Sequence, residues 1–182
     1  MHVALPVSTN PYLDDLDALN VNGKLSMDST GELAESRLPG IYVLVFLLKE
    51  DTVTTVGKLG ILEFPSGYYA YVGSGRKGAV ARVRRHLRPH PRASWHLDYI
   101  LPKGQPLAAI IGHTTDALEC PLAQSLGLTF QVFPRFGSSD CRCAGHLFRS
   151  DEIGQLARAA TDRKSGFGCA TTVPRLSASS NF

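Results

Sequence analysis

Gly40-Ile41-Tyr42 opens one apolar run, Tyr71-Val72-Gly73 closes another, and Arg82 and His86 follow soon after. Two phenols, a guanidinium and an imidazole are groups that a site for cutting a phosphodiester could use. Such hydrolysis needs an activated water, charge stabilisation on the phosphoryl oxygens and help for the leaving alkoxide. A divalent metal held by a carboxylate can supply the last two. Arginine adds a planar fork that matches phosphate oxygens. Each tripeptide alone is weak, because Gly-aromatic-β-branched strings are common in strands. The weight lies in the order: apolar strand, GIY, apolar strand, YVG, then a basic helix.

The elements that must position these groups can be read along the chain. Gly40–Leu48 is a continuous apolar run and predicts a buried strand. Thr52–Val56 and Leu59–Phe64 are strand-like, with Gly57-Lys58 between them, and Pro65-Ser66-Gly67 turns the chain into Tyr68–Val72. Loops this short cannot carry a parallel crossover, so the four strands are expected as an antiparallel meander. A helix fits Gly78–Arg88, with Val80, Val83 and Leu87 as its buried stripe and Pro89 as its stop. Arg82 and His86 lie at i, i+4 on another face, where their heads can meet one ligand. Ser94 is expected to cap a short helix through Leu101. Leu107–Ile111 reads as a strand. Thr115 or Asp116 is expected to start a helix carrying Glu119, with Pro121 in its first turn and Gly127 at its end. Phe130–Phe133 reads as a last short strand. The fold class is α+β, with a small, mainly antiparallel central sheet flanked by helices.

The charge is unevenly spread. Residues 1–37 hold six acids against Lys24 and Arg37, a net of −4, while the whole chain carries +3, which leaves +7 on the rest. No acid lies between Glu63 and Asp98. That window holds Arg76, Lys77, Arg82, Arg84, Arg85, Arg88 and Arg92, with His86, His90 and His96. A stripe of one sign suits a polyanion such as nucleic acid. The plainer alternative is a solvated basic helix face.

At 182 residues, 43% of them hydrophobic, the chain can bury one real core with room for tails. Residues 1–37 read as an acidic, flexible leader, with a short helix near Leu13–Leu19. Residues 38–148 read as the folded domain. Residues 149–182 read as a tail with one helix at Asp151–Ala160. No stretch approaches the ~20 apolar residues of a membrane span. Met1 to Tyr12 lacks the pattern of a secretory signal. Four unevenly placed cysteines do not make a secreted disulfide framework, so a reducing cytoplasm is the expected compartment.

With Glu119 on a later helix, this ordered set resembles the GIY-YIG nuclease superfamily, and within it the small stand-alone Uri-type branch. The resemblance spans roughly Leu38–Phe148. It implies a metal-dependent endonuclease acting on DNA, with branched or damaged DNA among the candidate substrates. Tyr42 and Tyr71 would position or deprotonate the attacking water, and Arg82 would steady the phosphate. His86 would relay a proton, and Glu119 would hold one Mg²⁺ or Mn²⁺ ion. Arg76, Lys77, Arg84, Arg85, Arg88 and Arg92 would touch DNA phosphates. The tyrosines lie 29 positions apart, wider than in most members, and Thr52–Phe64 reads as an inserted strand pair. The turn at Gly75–Gly78 leaves open whether Arg82, Arg84 or Arg85 faces the site. A binding module of the same fold with little or no cleavage is the second reading, and a protein-interaction domain the third.

Two more clusters stand out. In Trp95-His96-Leu97-Asp98-Tyr99, Trp95 and Tyr99 are expected to anchor a helix in the core, with His96 a candidate substrate contact. Cys141, Cys143 and His146 could ligate structural zinc as three of four ligands, the fourth coming from a distant Cys120 or His113. A packed turn of buried thiols is the reading their spacing favours.

Overall fold

The computed structural model describes residues 37–89, 92–161 and 170–171. The acidic leader, the Leu13–Leu19 helix, His90, Cys169 and most of the C-terminal stretch lie outside the described residues. The strands are β1 (Gly40–Leu48), β2 (Thr52–Thr55), β3 (Ile61–Phe64), β4 (Gly67–Gly75), β5 (Gln105–His113), β6 (Gln131–Val132), β7 (Leu147–Ser150) and β8 (Ala170–Thr171). The helices are α1 (Ala79–Leu87), α2 (Leu97–Ile100), α3 (Glu119–Gly127) and α4 (Ile153–Thr161). Six strands form one sheet in the order β6-β7-β4-β1-β5-β8, with every neighbouring pair antiparallel. The α+β expectation holds.

β1 lies at the centre because it can be buried on both faces. Tyr42, Leu44, Phe46 and Leu48 point to one side, where they meet Tyr69 and Tyr71 of β4 and Val80 and Val83 of α1. Ile41, Val43 and Val45 point to the other, against Leu122 and Leu126 of α3 and Leu156 and Ala160 of α4. A strand with covers on both faces has no polar side, which is why Gly40–Leu48 lacks alternation. β5 bulges against β1 at Val45/Phe46, beside Pro106, a residue that cannot donate to the ladder.

The meander expected from the four early strands does not form. β2 and β3 pair only with each other, in a separate ribbon, and β1 pairs directly with β4. The reason is in their side chains. β2 alternates between half-buried and exposed positions, and β3 exposes Ile61 and Glu63. Such strands suit an arm that covers the core from outside, through Val56, Leu62 and Phe64, rather than the middle of a sheet. The Thr52–Phe64 pair is therefore an insertion between two adjacent central strands. At the other end, β7 runs across the expected boundary at residue 148, α4 packs on the sheet and β8 pairs with β5. Strand β7 was not foreseen in the sequence. Among the described residues no helix is long and apolar enough to cross a membrane.

Two glycines of the GIY and YVG strings have a steric reason. Gly40 sits where a Cβ would strike the Gly112 carbonyl oxygen and press on the Ala79 side chain at 3.3 Å. Gly73 pairs with Tyr42 across the β1–β4 ladder, and a Cβ there would occupy the space of the Tyr42 phenol. Gly73→Ala should therefore displace that ring and destabilise the fold by ~1–3 kcal/mol, the usual range for overpacking. Urea unfolding checks this. An unchanged midpoint would mean that the ring has somewhere else to go.

Candidate functional site

α1 begins after the Gly75–Gly78 turn, and Ala79 N–H donates to the Leu38 carbonyl, which pins the helix to the start of β1. Ala79, Val80, Val83 and His86 are buried. The expected stripe is thus real, with His86 added to it and Leu87 only half-buried. The arginines at the C-terminal end also suit the negative end of the helix dipole.

His86 is inside because both its nitrogens find partners there. The Tyr42 hydroxyl donates to His86 Nε2 at 3.0 Å, and His86 Nδ1–H donates to Asp98 Oδ1 at 3.3 Å. Asp98 also accepts both Arg85 nitrogens, at 3.3 and 3.0 Å, and the backbone N–H groups of Ser94 and Trp95. Asp98, rather than Ser94, therefore organises the short helix α2. Burial tends to raise the Asp98 carboxyl, but the Arg85 and Ser94 hydrogen bonds together with the Arg85 charge outweigh it and hold it below its usual value. The ionised acceptor fixes the His86 tautomer, with its proton on Nδ1 and its free lone pair facing Tyr42. Burial, more than Asp98 can offset, pushes His86 down to about 4, so its ring is neutral near pH 7.

Trp95 does not anchor the core as expected. It is half-buried and carries the Arg82 guanidinium 4.0 Å above its ring, with Arg85 at 5.0 Å. Among the described residues Arg82 has no ion-pair partner, whereas Arg85 is spent on Asp98. This separates the three arginines that the turn left ambiguous. A groove of about 590 Å³ is lined by Arg76, Lys77, Arg82, Arg85 and Trp95 together with Glu119 and Asp140. Arg84, Arg88 and Arg92 do not line it. Tyr42 and Tyr71 do not line it either. They are buried in a cluster with His86, with ring centroids 6.0 to 6.4 Å apart. Burial raises both phenols far above their ordinary value of 10, with the Tyr71 charge next for Tyr42 and the Glu119 carboxylate next for Tyr71. Both are protonated at neutral pH and act as hydrogen-bond donors. His96, the candidate substrate contact, accepts a hydrogen bond from Gly137 N–H at 2.9 Å and packs on Phe136.

Glu119 comes from the opposite side of the sheet. α3 starts at Glu119 itself, later than Thr115 or Asp116, and Pro121 occupies its first turn as expected. The Ser74 hydroxyl, at the end of β4, donates to Glu119 Oε2, and His146 Nδ1–H donates to Oε1 at 3.1 Å. Burial raises the Glu119 carboxyl, but these two hydrogen bonds outweigh it and keep it below its usual value. Behind Glu119 lies a second hollow of about 510 Å³, which shares Ser74, Arg76 and Asp140 with the groove. Its wall includes Cys120, Cys141 and His146. These three and Cys143 form a group able to hold a metal ion, their ligand atoms all within 4.8 Å of one another. The thiols are half-buried rather than packed away, and the fourth member is Cys120 rather than His113. Ser74, Asp98 and Asp140 are site residues the sequence reading missed. Only the shared acidity of Asp140 and Glu119 offered a signal for any of them.

The His86 environment sets a pH dependence. A histidine held neutral at about 4 in the fold, against 6.5 ordinarily, leaves the unfolded chain binding more protons between those values. Stability from His86 is therefore full above pH 6.5 and lost as pH falls towards 4, by up to roughly 3 kcal/mol. His86→Gln keeps a donor and an acceptor but cannot titrate, so it should flatten this part of the stability curve. Equal slopes for both proteins in chemical denaturation across pH 4–7 would remove His86 as the cause.

No curated protein and no solved structure matches this chain. A family model described as a domain of unknown function, DUF123, matches residues 41–169. The match takes in both phenols, Arg82, the Asp98 hub, Glu119 and the whole cysteine–histidine group. Since it spans well over half of the sequence, the chain belongs to the DUF123 family.

Proposed function

We propose that this protein is a metal-dependent endonuclease that hydrolyses DNA phosphodiester bonds in the cytoplasm, a GIY-YIG-type nuclease of the Uri-type branch. The observation that carries the reading is Arg82: a guanidinium with no ion-pair partner among the described residues, 4.0 Å over the Trp95 ring, in a groove that Glu119 also lines. In such a setting Arg82 forks onto two phosphate oxygens and stabilises the charge that builds there during attack. Arg76 and Lys77, which line the same groove, hold the flanking phosphates.

Tyr71, protonated, serves as a donor that orients the attacking water or a phosphate oxygen, and the Tyr42 hydroxyl, its proton turned to His86, offers its oxygen as an acceptor for that water. His86 Nε2 accepts the Tyr42 hydroxyl hydrogen bond and is placed to relay that proton, with Asp98 fixing the tautomer that keeps its lone pair there. Glu119 and Asp140, which line the groove, are oxygen donors of the kind that would hold Mg²⁺ or Mn²⁺. The ion, when bound, supplies Lewis-acid stabilisation of the leaving oxygen.

Plasmid and branched DNA incubated with Mg²⁺, Mn²⁺ or EDTA tests the reading. Metal-dependent nicking is expected, with Arg82→Ala slower by ~10²-fold or more. Glu119→Ala should lose both activity and metal dependence. Near-normal, Mg²⁺-stimulated cleavage by Glu119→Ala would place the metal elsewhere.

The second reading, a DNA-binding module without cleavage, is favoured by one observation: both phenols are buried and absent from the groove wall. Either reading requires salt-dependent DNA affinity. Charge reversal at Arg76 and Lys77 should weaken binding to all sequences alike and flatten the salt slope by ~1 per lost phosphate contact. A loss confined to particular sequences would point to base readout instead.

A further inference from the structure

We infer that Cys120, Cys141, Cys143 and His146 bind one Zn²⁺ ion, which clamps the head of α3 to the connection between β6 and β7. The inference needs no part of the nuclease reading, since its four ligands are other side chains and only Glu119, behind His146, is shared with it. Their chemistry is selective. Three thiolates and an imidazole form a closed tetrahedral set for zinc, whereas Mg²⁺ and Mn²⁺ prefer oxygen donors. With four protein ligands and no open position, the ion is structural rather than catalytic.

The geometry agrees. Zinc bonds of about 2.3 Å to sulfur and about 2.0–2.1 Å to nitrogen, opened at the tetrahedral angle, place two ligand atoms about 3.6 Å apart. Cys141 Sγ and His146 Nε2 stand 3.5 Å apart. The other ring nitrogen of His146 already donates to Glu119 Oε1, which leaves the Nε2 lone pair facing the sulfurs. A carboxylate behind a ligating histidine is the usual outer shell of such sites, because it fixes the tautomer and raises the basicity of the ligand.

The topology gives the ion something to do. Cys120 directly follows Glu119 on α3, while the other three ligands lie in residues 133–146, which contain no regular element. Ser139, Asp140, Arg142 and Ala144 are exposed there and bury little apolar surface. Backbone bonds from Arg135 to Ala144 and from His146 to Phe136 close the base of this loop. Among the described residues of its tip, the half-buried Cys143 alone packs on the apolar cluster that includes Leu122 and Ala123 of α3, which is little to hold it. A metal supplies that missing binding energy, and in doing so it holds His146 against Glu119.

Metal analysis and cobalt substitution of the purified full chain test the proposal. Metal-free protein dialysed against zinc should retain ~1 Zn²⁺ per chain and protect ~3 thiols from a thiol reagent. Co²⁺ should give the intense visible bands of a tetrahedral site and thiolate charge transfer in the near ultraviolet, unchanged by excess Mg²⁺. Removing zinc from the wild-type chain should lower its melting temperature, a readout that requires no variant to fold. Glu119→Gln should weaken zinc binding ~10–100-fold, as for loss of an outer-shell partner. Cys143→Ser should weaken it further. Failure to retain zinc together with absent cobalt bands overturns the inference. So does retention of iron in place of zinc, or a disulfide among these cysteines in the reduced-purified protein. Loss of Mg²⁺-stimulated cleavage with zinc still bound would count against the nuclease reading alone.

Discussion

The Asp98 carboxylate is the contact on which the site depends. It receives two hydrogen bonds from Arg85, one from His86 and two from backbone N–H groups at Ser94 and Trp95. One anion thus ties α1 to α2, sets the tautomer of His86 and holds Trp95 beneath Arg82. Its cost of burial is offset by a full ring of donors, the condition under which a buried charge is tolerated. Without Asp98, Arg85 would compete for any anion in the groove, and His86 would lose the acceptor that keeps its lone pair turned to Tyr42.

The second organising constraint is the sheet buried on both faces. Tyr42 and Tyr71 belong to one face, Glu119 to a helix on the other. The two layers are linked near the end of β4, where the Ser74 hydroxyl, one residue before Gly75 closes the strand, reaches Glu119. Polar side chains from two layers can converge at that end. Elsewhere six strands and two apolar cores keep the layers apart.

Much of this was legible in the sequence, for reasons particular to each segment. β1 is recognisable because burial on both faces leaves no polar residue in it, and α1 because its stripe and Pro89 bound it. The order of Tyr42, Tyr71, Arg82, His86 and Glu119 is also visible without coordinates. Asp98 was not, because its side-chain partners, His86 and Arg85, are 12 and 13 positions away on another helix. Cys120 looked remote from Cys141 for the same reason, although their sulfurs share one cluster. The meander was misread because turn residues announce that a chain reverses, not which strand it will pair with afterwards. β7 escaped notice because four residues, two buried and two half-buried, carry no period.

The inserted β2–β3 ribbon bears on how the chain folds. β1 and β4 make the central pairing, yet 18 residues separate Leu48 from Gly67. Closing a loop costs more entropy as its length grows. β2 and β3 pair locally, in perfect four-residue register from Thr52–Phe64 to Thr55–Ile61, and hairpins of this kind form within about 1–10 μs. Once zipped, the ribbon brings its own ends together, with Asp51 accepting from Ser66 N–H at 2.7 Å. The insertion therefore delivers Leu48 and Gly67 to each other almost as a short turn would. It lengthens the chain between the two tyrosine strands while leaving the kinetic distance between them small.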